Sequence, residues 1–239
     1  RSFILGEKKP IEYNGKKVEI SQKFYGDDSL VERAVVTLAS NRGLMLVGEP
    51  GTAKTMLSEL LSAAISGNST NTVQGTAGTT EDNIKYSWNY ALLLAKGPVK
   101  EALVPAPVYT GMQSGIITRF EEITRCPLEI QDTLISIMSD RVMNIPEFGS
   151  DGMIFAAKGF NVIATANTRD KGINEMSSAL KRRFNFETVE PVKSIALESR
   201  IIKEQCETML EDAGIDVPVQ KDVVDVLAEA FSELRSGQS

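Results

Sequence analysis

Gly48 to Thr55 reads GEPGTAKT, and no other eight residues leave this chain fewer folds to choose from. They follow directly on the apolar run Gly43-Leu44-Met45-Leu46-Val47 and lead into the helix-like run Met56-Leu57-Ser58-Glu59-Leu60-Leu61. The order is strand, glycine loop, lysine, hydroxyl, helix. A loop that wraps a triphosphate needs backbone N–H groups turned inward, a backbone free enough to turn them, and a cation beyond. Gly48 and Gly51 supply that freedom, Lys54 can reach the β- and γ-phosphates, and the Thr55 hydroxyl can hold Mg2+. A plain glycine turn is the bland alternative. The strand before and the helix after favour ATP with Mg2+, with Glu49, Pro50, Thr52, Ala53 and Met56 completing the binding segment. Ala53 stands where a glycine usually precedes the lysine, and a helix that starts there with helical dihedrals would tolerate it.

With 239 residues, 42% of them hydrophobic, the chain suits one large domain, or one large and one small. The longest aliphatic stretch, Ala91 to Ala95, falls far short of a membrane span, and no charged-then-apolar leader opens the chain. The expectation is a cytoplasmic protein without a membrane partner. Cys126 and Cys206, with no histidine, leave almost nothing from which to build a zinc or iron site. Both are expected as unbridged, packed thiols. Without histidine, any hydrolysis must rely on carboxylates. A net charge of −6, from 26 basic and 32 acidic residues, argues against non-specific binding to phosphate backbones, so large partners are expected to be proteins rather than nucleic acid. The opening at Arg1 and the closing Ser-Gly-Gln-Ser suggest a piece of a longer chain.

Ile11 to Ile20 (IEYNGKKVEI) is two alternating runs around Asn14-Gly15, a tight hairpin signal. Asp27 or Asp28 can cap a helix with Leu30, Val31, Ala34, Val35 and Leu38 at helical spacing. After the phosphate loop, Thr72 to Thr76 reads as strand, and Thr79-Thr80-Glu81-Asp82 as a helix start. Tyr86 to Gly111, with Pro105 and Pro107, is too long for a simple connection. Ile116 to Phe120 reads as strand, and Leu128 to Met138 as helix. Arg141 to Ile145 and Met153 to Ala157 read as a projecting hairpin. Phe160 to Ala166 has the near-continuous apolar character of a strand buried on both faces, and Phe184 to Val189 is a weaker last strand. Strands alternating with helices from about Asp27 to Pro191 predict a doubly wound α/β domain with a parallel sheet. Beyond Pro191 only helix is expected: Ile195 to Leu210, then Val223 to Leu234 with Val223, Leu227, Ala230, Phe231 and Leu234 on one face.

A phosphate loop binds; hydrolysis needs a second acidic strand end to order the metal's waters and activate the attacking one. Glu121-Glu122 follows the strand IITRF. Glu121 would hold Mg2+ through water and Glu122 would polarise the nucleophile, against the alternative of an exposed acidic pair. Asn167 ends the strand FNVIATAN, where its amide could orient the water or touch the γ-phosphate, or simply form a turn with Thr168. Arg182 and Arg183, in ALKRRF, cannot easily reach their own phosphates but could reach a neighbour's. A solvated basic helix end is the alternative for one of them.

Taken together, the chain resembles the AAA+ P-loop ATPases, and within them the MoxR family, from about Phe24 to its end. The resemblance is carried by GEPGTAKT, by RFEEITRCP at Arg119 to Pro127, by NVIATANTRDKG at Asn161 to Gly172 and by SSALKRRF at Ser177 to Phe184. It implies that Lys54 and Thr55 are Walker A ligands, Glu121 and Glu122 the Walker B pair, Asn167 sensor 1, and Arg183 the arginine finger, with Arg182 second. Phe24, Tyr25 and Gly26 resemble the segment lying against adenine. Tyr86 to Gly111 matches the family's helix 2 insertion, and Arg141 to Ala157 its hairpin before sensor 1. Glu121 stands where aspartate is usual, and neither Arg200 nor Arg235 lies in a sensor 2 context. The implied organisation is an N-terminal hairpin extension over 1–23, an AAA+ nucleotide-binding α/β domain over 24–191 and a partial helical lid over 192–239.

The function so implied is ATP hydrolysis, to ADP and phosphate, by a hexameric ring of copies. Such a ring is a chaperone-like remodeller of a protein client, with a von Willebrand factor A type protein as partner. A nucleotide-dependent assembly scaffold with little turnover is the alternative. A DNA translocase is the weakest reading, given the acidic balance.

Overall fold

The structure, a computed structural model, describes residues 1–168 and 176–236. It divides into two compact units, Arg1–Val189 and Glu190–Ser239. The first unit opens with a short helix α1 (Ser2–Leu5) and a hairpin, β1 (Ile11–Tyr13) with β2 (Lys16–Val18), antiparallel around a turn in which Asn14 takes φ 51°. That left-handed conformation is what a two-residue hairpin turn demands and what asparagine tolerates. Helix α2 (Asp28–Leu38) is capped by Asp27, whose carboxylate accepts from the Ser29 N–H. Strand β3 (Gly43–Gly48) and helix α3 (Lys54–Ser66) bracket the glycine loop, and β4 (Thr72–Gln74) follows.

The expected helix at Thr79 to Asp82 is only a 3-10 turn, Glu81–Asn83, closed by reciprocal hydrogen bonds between Thr80 and Asn83. Its backbone is diverted into an excursion: β5 (Tyr86–Trp88), helix α4 (Tyr90–Lys96) and β6 (Leu103–Pro105), antiparallel to β5. The two ends of the excursion meet where Val108 N–H donates to the Ile84 carbonyl at 2.8 Å, and α5 (Pro107–Ser114) starts there. Strand β7 (Ile117–Glu121), helix α6 (Leu128–Asp140), the antiparallel pair β8 (Val142–Asn144) and β9 (Met153–Phe155), strand β10 (Asn161–Asn167), helix α7 (Ser178–Lys181) and strand β11 (Phe184–Thr188) complete the unit.

Five strands form one parallel sheet in the order β11-β3-β10-β7-β4. Both of its faces are buried, which explains the unbroken apolar runs in β3 and β10. Side chains alternate: Leu44, Leu46, Ile117 and Ile163 join a core with Ile4, Phe24 and residues of α2 and α3. Met45, Phe120, Val162 and Ala164 join the opposite core with α5, α6 and α7. The fold is therefore the expected doubly wound α/β architecture. The connections leave β3 and β10 in opposite directions: from β3 the chain crosses outward to β4 and returns through β7 to β10, and from β10 it passes β3 to reach β11. Ligands of open parallel sheets bind outside the carboxyl ends of strands at such a point.

The second unit holds α8 (Ile195–Asp212) and α9 (Lys221–Ser236), which contact each other. On α9, Val223, Leu227, Phe231 and Leu234 are exposed, whereas Val224 and Ala228 are buried. Cys126 is buried and Cys206 half-buried, and no disulfide joins them. Among the described residues no helix is long and apolar enough to cross a membrane.

Candidate active site

At the C-terminal end of β3, Gly48 is required by close approach: a β-carbon there would sit 2.5 Å from the Val189 carbonyl oxygen. The loop beyond it turns on two left-handed residues, Gly51 (φ 80°) and Ala53 (φ 62°, ψ 26°). Ala53 thus does not take the right-handed helical dihedrals expected of it. It serves as the N-cap of α3 in a conformation an L-residue resists, at a cost of roughly 1–2 kcal/mol. Strain of this kind is retained where the surrounding structure enforces it.

Lys54 is buried, and its ammonium folds back over the loop, donating to the carbonyls of Gly48 (3.2 Å) and Glu49 (2.6 Å) and to Thr52 Oγ1 (3.4 Å). The cation is thereby held inside the curve of the loop that Gly48, Glu49, Pro50, Gly51 and Thr52 describe. Thr55 and Met56 begin α3 with exposed side chains. The Thr55 hydroxyl donates to Glu121 Oε2 at 3.1 Å, which joins the loop to the end of β7.

Glu121 is only 4% exposed and accepts from four side chains. Oε1 receives Ser58 Oγ (2.6 Å) and Arg119 Nη2 (2.8 Å); Oε2 receives Thr165 Oγ1 (2.7 Å) and Thr55. Burial alone pushes this carboxyl up. The hydrogen bonds from Ser58, Thr165 and Arg119, with the charge of Arg119, outweigh it and hold the group below its ordinary value. Glu122, next in the chain, leaves the strand with φ 53° and ψ 46°, so its side chain departs in another direction. Its N–H donates to Thr165 Oγ1 (2.9 Å), and its carboxylate pairs with Arg125 (2.7 Å). Asn167 stands at the end of β10, in register with Gly48, and Thr168 N–H donates to the Gly48 carbonyl at 3.1 Å.

Lys54, Thr55, Glu121, Glu122 and Asn167 therefore gather at the carboxyl edge of three adjacent strands. Arg182 and Arg183 do not join them. The Arg183 carbonyl accepts from Gly43 N–H at the start of β3, the opposite edge of the sheet, roughly 16 Å from Gly48 for five strand steps. The Arg183 guanidinium donates to Ser139 Oγ (2.8 Å) and the Ala179 carbonyl (2.6 Å); Arg182 is exposed, and its carbonyl accepts from Arg42. Phe24 is 3% exposed, its ring packed in the core beneath α2 and against Gly26, so it presents no free aromatic face. Tyr25 is half-buried with its hydroxyl donating to the Gln22 carbonyl, and Gly26 is exposed. Residues 169–172, the end of the segment quoted from Asn161 to Gly172, lie outside the described residues.

Residues 43–184, which hold every one of these loop, carboxylate, amide and arginine positions, match the AAA domain of the dynein-related subfamily. The chain belongs to that family. The uncharacterised protein YehL of Escherichia coli (strain K12) is 54% identical over 237 residues, covering 99% of this chain and 63% of YehL, so the chain spans less than two thirds of that relative. The uncharacterised protein SH1500 of Staphylococcus haemolyticus is 29% identical over 198 residues, covering 82% of this chain and 72% of its own. Among solved structures, a candidate ATPase from Cytophaga hutchinsonii superposes with a TM-score of 0.54 at 17% identity, over 85% of this chain and 58% of that one. NtrX from Brucella abortus in complex with ADP superposes with 0.55 at 14% identity, over 83% and 44%. These two share the fold of the AAA domain.

The AAA fold implies a divalent cation with the nucleotide, and the side chains present fit one. Among the described residues no three His, Cys, Asp or Glu cluster as an all-protein cage. Mg2+ needs none, since it keeps several waters and takes one or two protein oxygens beside the phosphates. Thr55 Oγ1 can turn its lone pairs outward, and Glu121 Oε2 can then accept from a metal-bound water. Arg119, Ser58 and Thr165 are absent from the sequence-derived site. The available signal is period two on β7: Arg119 shares a strand face with Glu121. Ser58 lies one helical turn beyond Thr55.

Proposed function

We propose that this AAA domain binds ATP in the β3–α3 loop and hydrolyses it to ADP and phosphate, with the site completed by a second copy of the chain. The observation that carries the reading is the 3.1 Å contact between Thr55 and Glu121, which couples the phosphate loop to the carboxylate pair of β7. Lys54 would leave the loop carbonyls and donate to the β- and γ-phosphates, which accept a cation better than a neutral carbonyl does. Thr55, with Glu121 through water, would hold Mg2+, which when bound would supply charge neutralisation of the transferring group. Glu122 would release Arg125 and accept a hydrogen bond from the attacking water, and Asn167 would hold that water in line. Arg183 of the neighbouring copy would donate to the γ-phosphate in the transition state. Its position on the far edge of the sheet supports action in trans.

In this reading the copies form a ring, taken as hexameric, that remodels a protein client in the manner of the MoxR family, with a von Willebrand factor A type protein as partner. Residues 24–191 are read as the nucleotide-binding domain, 192–239 as a partial helical lid and 1–23 as an N-terminal extension. The pairing of Glu122 with Arg125 favours a second reading, a scaffold that assembles on binding nucleotide and turns over little.

One substitution tests the binding site that both readings share, and a second separates them. Lys54→Ala should abolish ATP binding; unchanged affinity refutes the phosphate-loop assignment. Glu122→Gln should keep ATP binding and cut phosphate release by about 10²- to 10⁴-fold, the usual worth of a positioned acid or base. If the unsubstituted protein releases phosphate no faster than Glu122→Gln while ATP still drives its self-association, the scaffold reading stands instead.

A further inference from the structure

Arg119 is a buried cation that the phosphate-loop chemistry does not use. It is 3% exposed, and its guanidinium spans three elements. Nε donates to Ser58 Oγ on α3 (3.0 Å), Nη1 to the Ser69 carbonyl before β4 (2.7 Å), and Nη2 to Glu121 Oε1 on its own strand (2.8 Å), with Glu59 3.3 Å from Nη2. An arginine costs several kcal/mol to desolvate, and a buried ion pair is seldom a net source of stability over apolar residues of the same shape. Its presence therefore calls for a role in placing what it touches.

What it touches most closely is Oε1 of Glu121. The glutamate has three side-chain torsions, and with both oxygens free it could present either one, or neither, to the loop. Arg119 and Ser58, both buried, occupy Oε1. Thr165, also buried, approaches Oε2 from β10, leaving the Thr55 side as the open approach to that oxygen. The two carboxylate oxygens are thus divided between an anchored and a presented role.

We propose that Arg119 is a positioning residue that anchors Oε1 of Glu121, so that Oε2 alone faces Thr55, and thereby sets how strongly Mg2+ strengthens nucleotide binding at this site. The inference rests on the nucleotide-site reading above. Partners that orient a metal's ligands without touching the metal are typically worth 10- to 100-fold in metal affinity.

The test is a titration of MgCl2 against a fluorescent ADP analogue, with the same affinity measured in EDTA, on the whole chain carrying Arg119→Met, Arg119→Lys or Ser58→Ala, each checked for folding by circular dichroism. Arg119→Met should leave affinity in EDTA near that of the unsubstituted protein, since Lys54 and the loop are untouched. It should raise the half-saturating Mg2+ concentration by about 10- to 100-fold. Arg119→Lys, which keeps the cation but not the three-way fork, should recover part of the shift. Should Arg119→Met fail to fold, Ser58→Ala decides, because it removes one donor to Oε1 and the acceptor of Arg119 Nε; it too should weaken the Mg2+ response. A folded Arg119→Met, or in its place a folded Ser58→Ala, whose Mg2+ dependence matches the unsubstituted protein overturns the proposal. Nucleotide affinity that Lys54→Ala leaves unchanged would instead overturn the reading beneath it, so the two failures are distinct.

Discussion

Ala53 carries φ 62° at the point where the phosphate loop becomes a helix, a left-handed conformation that it shares in this site with Glu122 (φ 53°). A glycine pays no β-carbon penalty in that conformation, so Ala53→Gly should stabilise the protein by about 1 kcal/mol. For a chain of this size that corresponds to roughly 2–4 °C in melting temperature. A variant that melts lower, or at the same temperature, would mean that the left-handed conformation is not retained in solution. The neighbours of Ala53 were legible in the sequence because their chemistry is local: Lys54 and Thr55 act on a loop built from the preceding six residues. The conformation of Ala53 was not, since alanine reads as a helix former whichever dihedrals the loop imposes. Nor was the environment of Glu121. Its saturation depends on Ser58, 63 residues earlier, and on Thr165, 44 residues later, and no local spacing announces partners so distant.

The strands and the helices α2, α3 and α6 follow their apolar periodicity closely, because each is fixed by burial on one side of the sheet. The segment from Tyr86 to Gly111 does not, since β5, α4 and β6 bury little of themselves, and what orders them is polar and aromatic contact with another element. Glu147, in the 3-10 turn between β8 and β9, accepts from the Tyr86 hydroxyl and from the Trp88 indole N–H, each at 3.2 Å. Phe148 meets the Trp88 ring edge-on at a centroid distance of 5.5 Å. Burial, followed by the charge and hydrogen bond of Glu147, pushes the Tyr86 hydroxyl up to about 12. Glu147 therefore fastens one excursion to the other. Trp88 is the chain's sole tryptophan, which makes the fastening directly observable. Glu147→Ala should shift its emission to longer wavelength and cost about 1–3 kcal/mol for two exposed hydrogen bonds. Emission identical to the unsubstituted protein would show that the two excursions are not joined through this carboxylate.

The parallel sheet gives the molecule two unlike edges. Its carboxyl edge gathers Lys54, Thr55, Glu121, Glu122 and Asn167, and its amino edge carries Arg183 beside Gly43. A group at one edge cannot serve a phosphate at the other within the same chain, but a head-to-tail arrangement of copies brings unlike edges together, and rotation closes such an arrangement into a ring. That polarity is implicit in the order of the motifs along the chain. It becomes a physical argument only through the strand order, in which β11 and β3 run side by side from Arg183 and Gly43. The decisive measurement is phosphate release from Mg-ATP, per subunit, as the protein concentration is raised, with Arg183→Ala followed in parallel. The rate per subunit should climb with concentration and then level off as copies assemble, while Arg183→Ala stays lower by about 10³-fold or more at every concentration. A rate that stays near zero at every concentration with ATP bound throughout, or an Arg183→Ala rate equal to that of the unsubstituted protein, would contradict a site completed between copies.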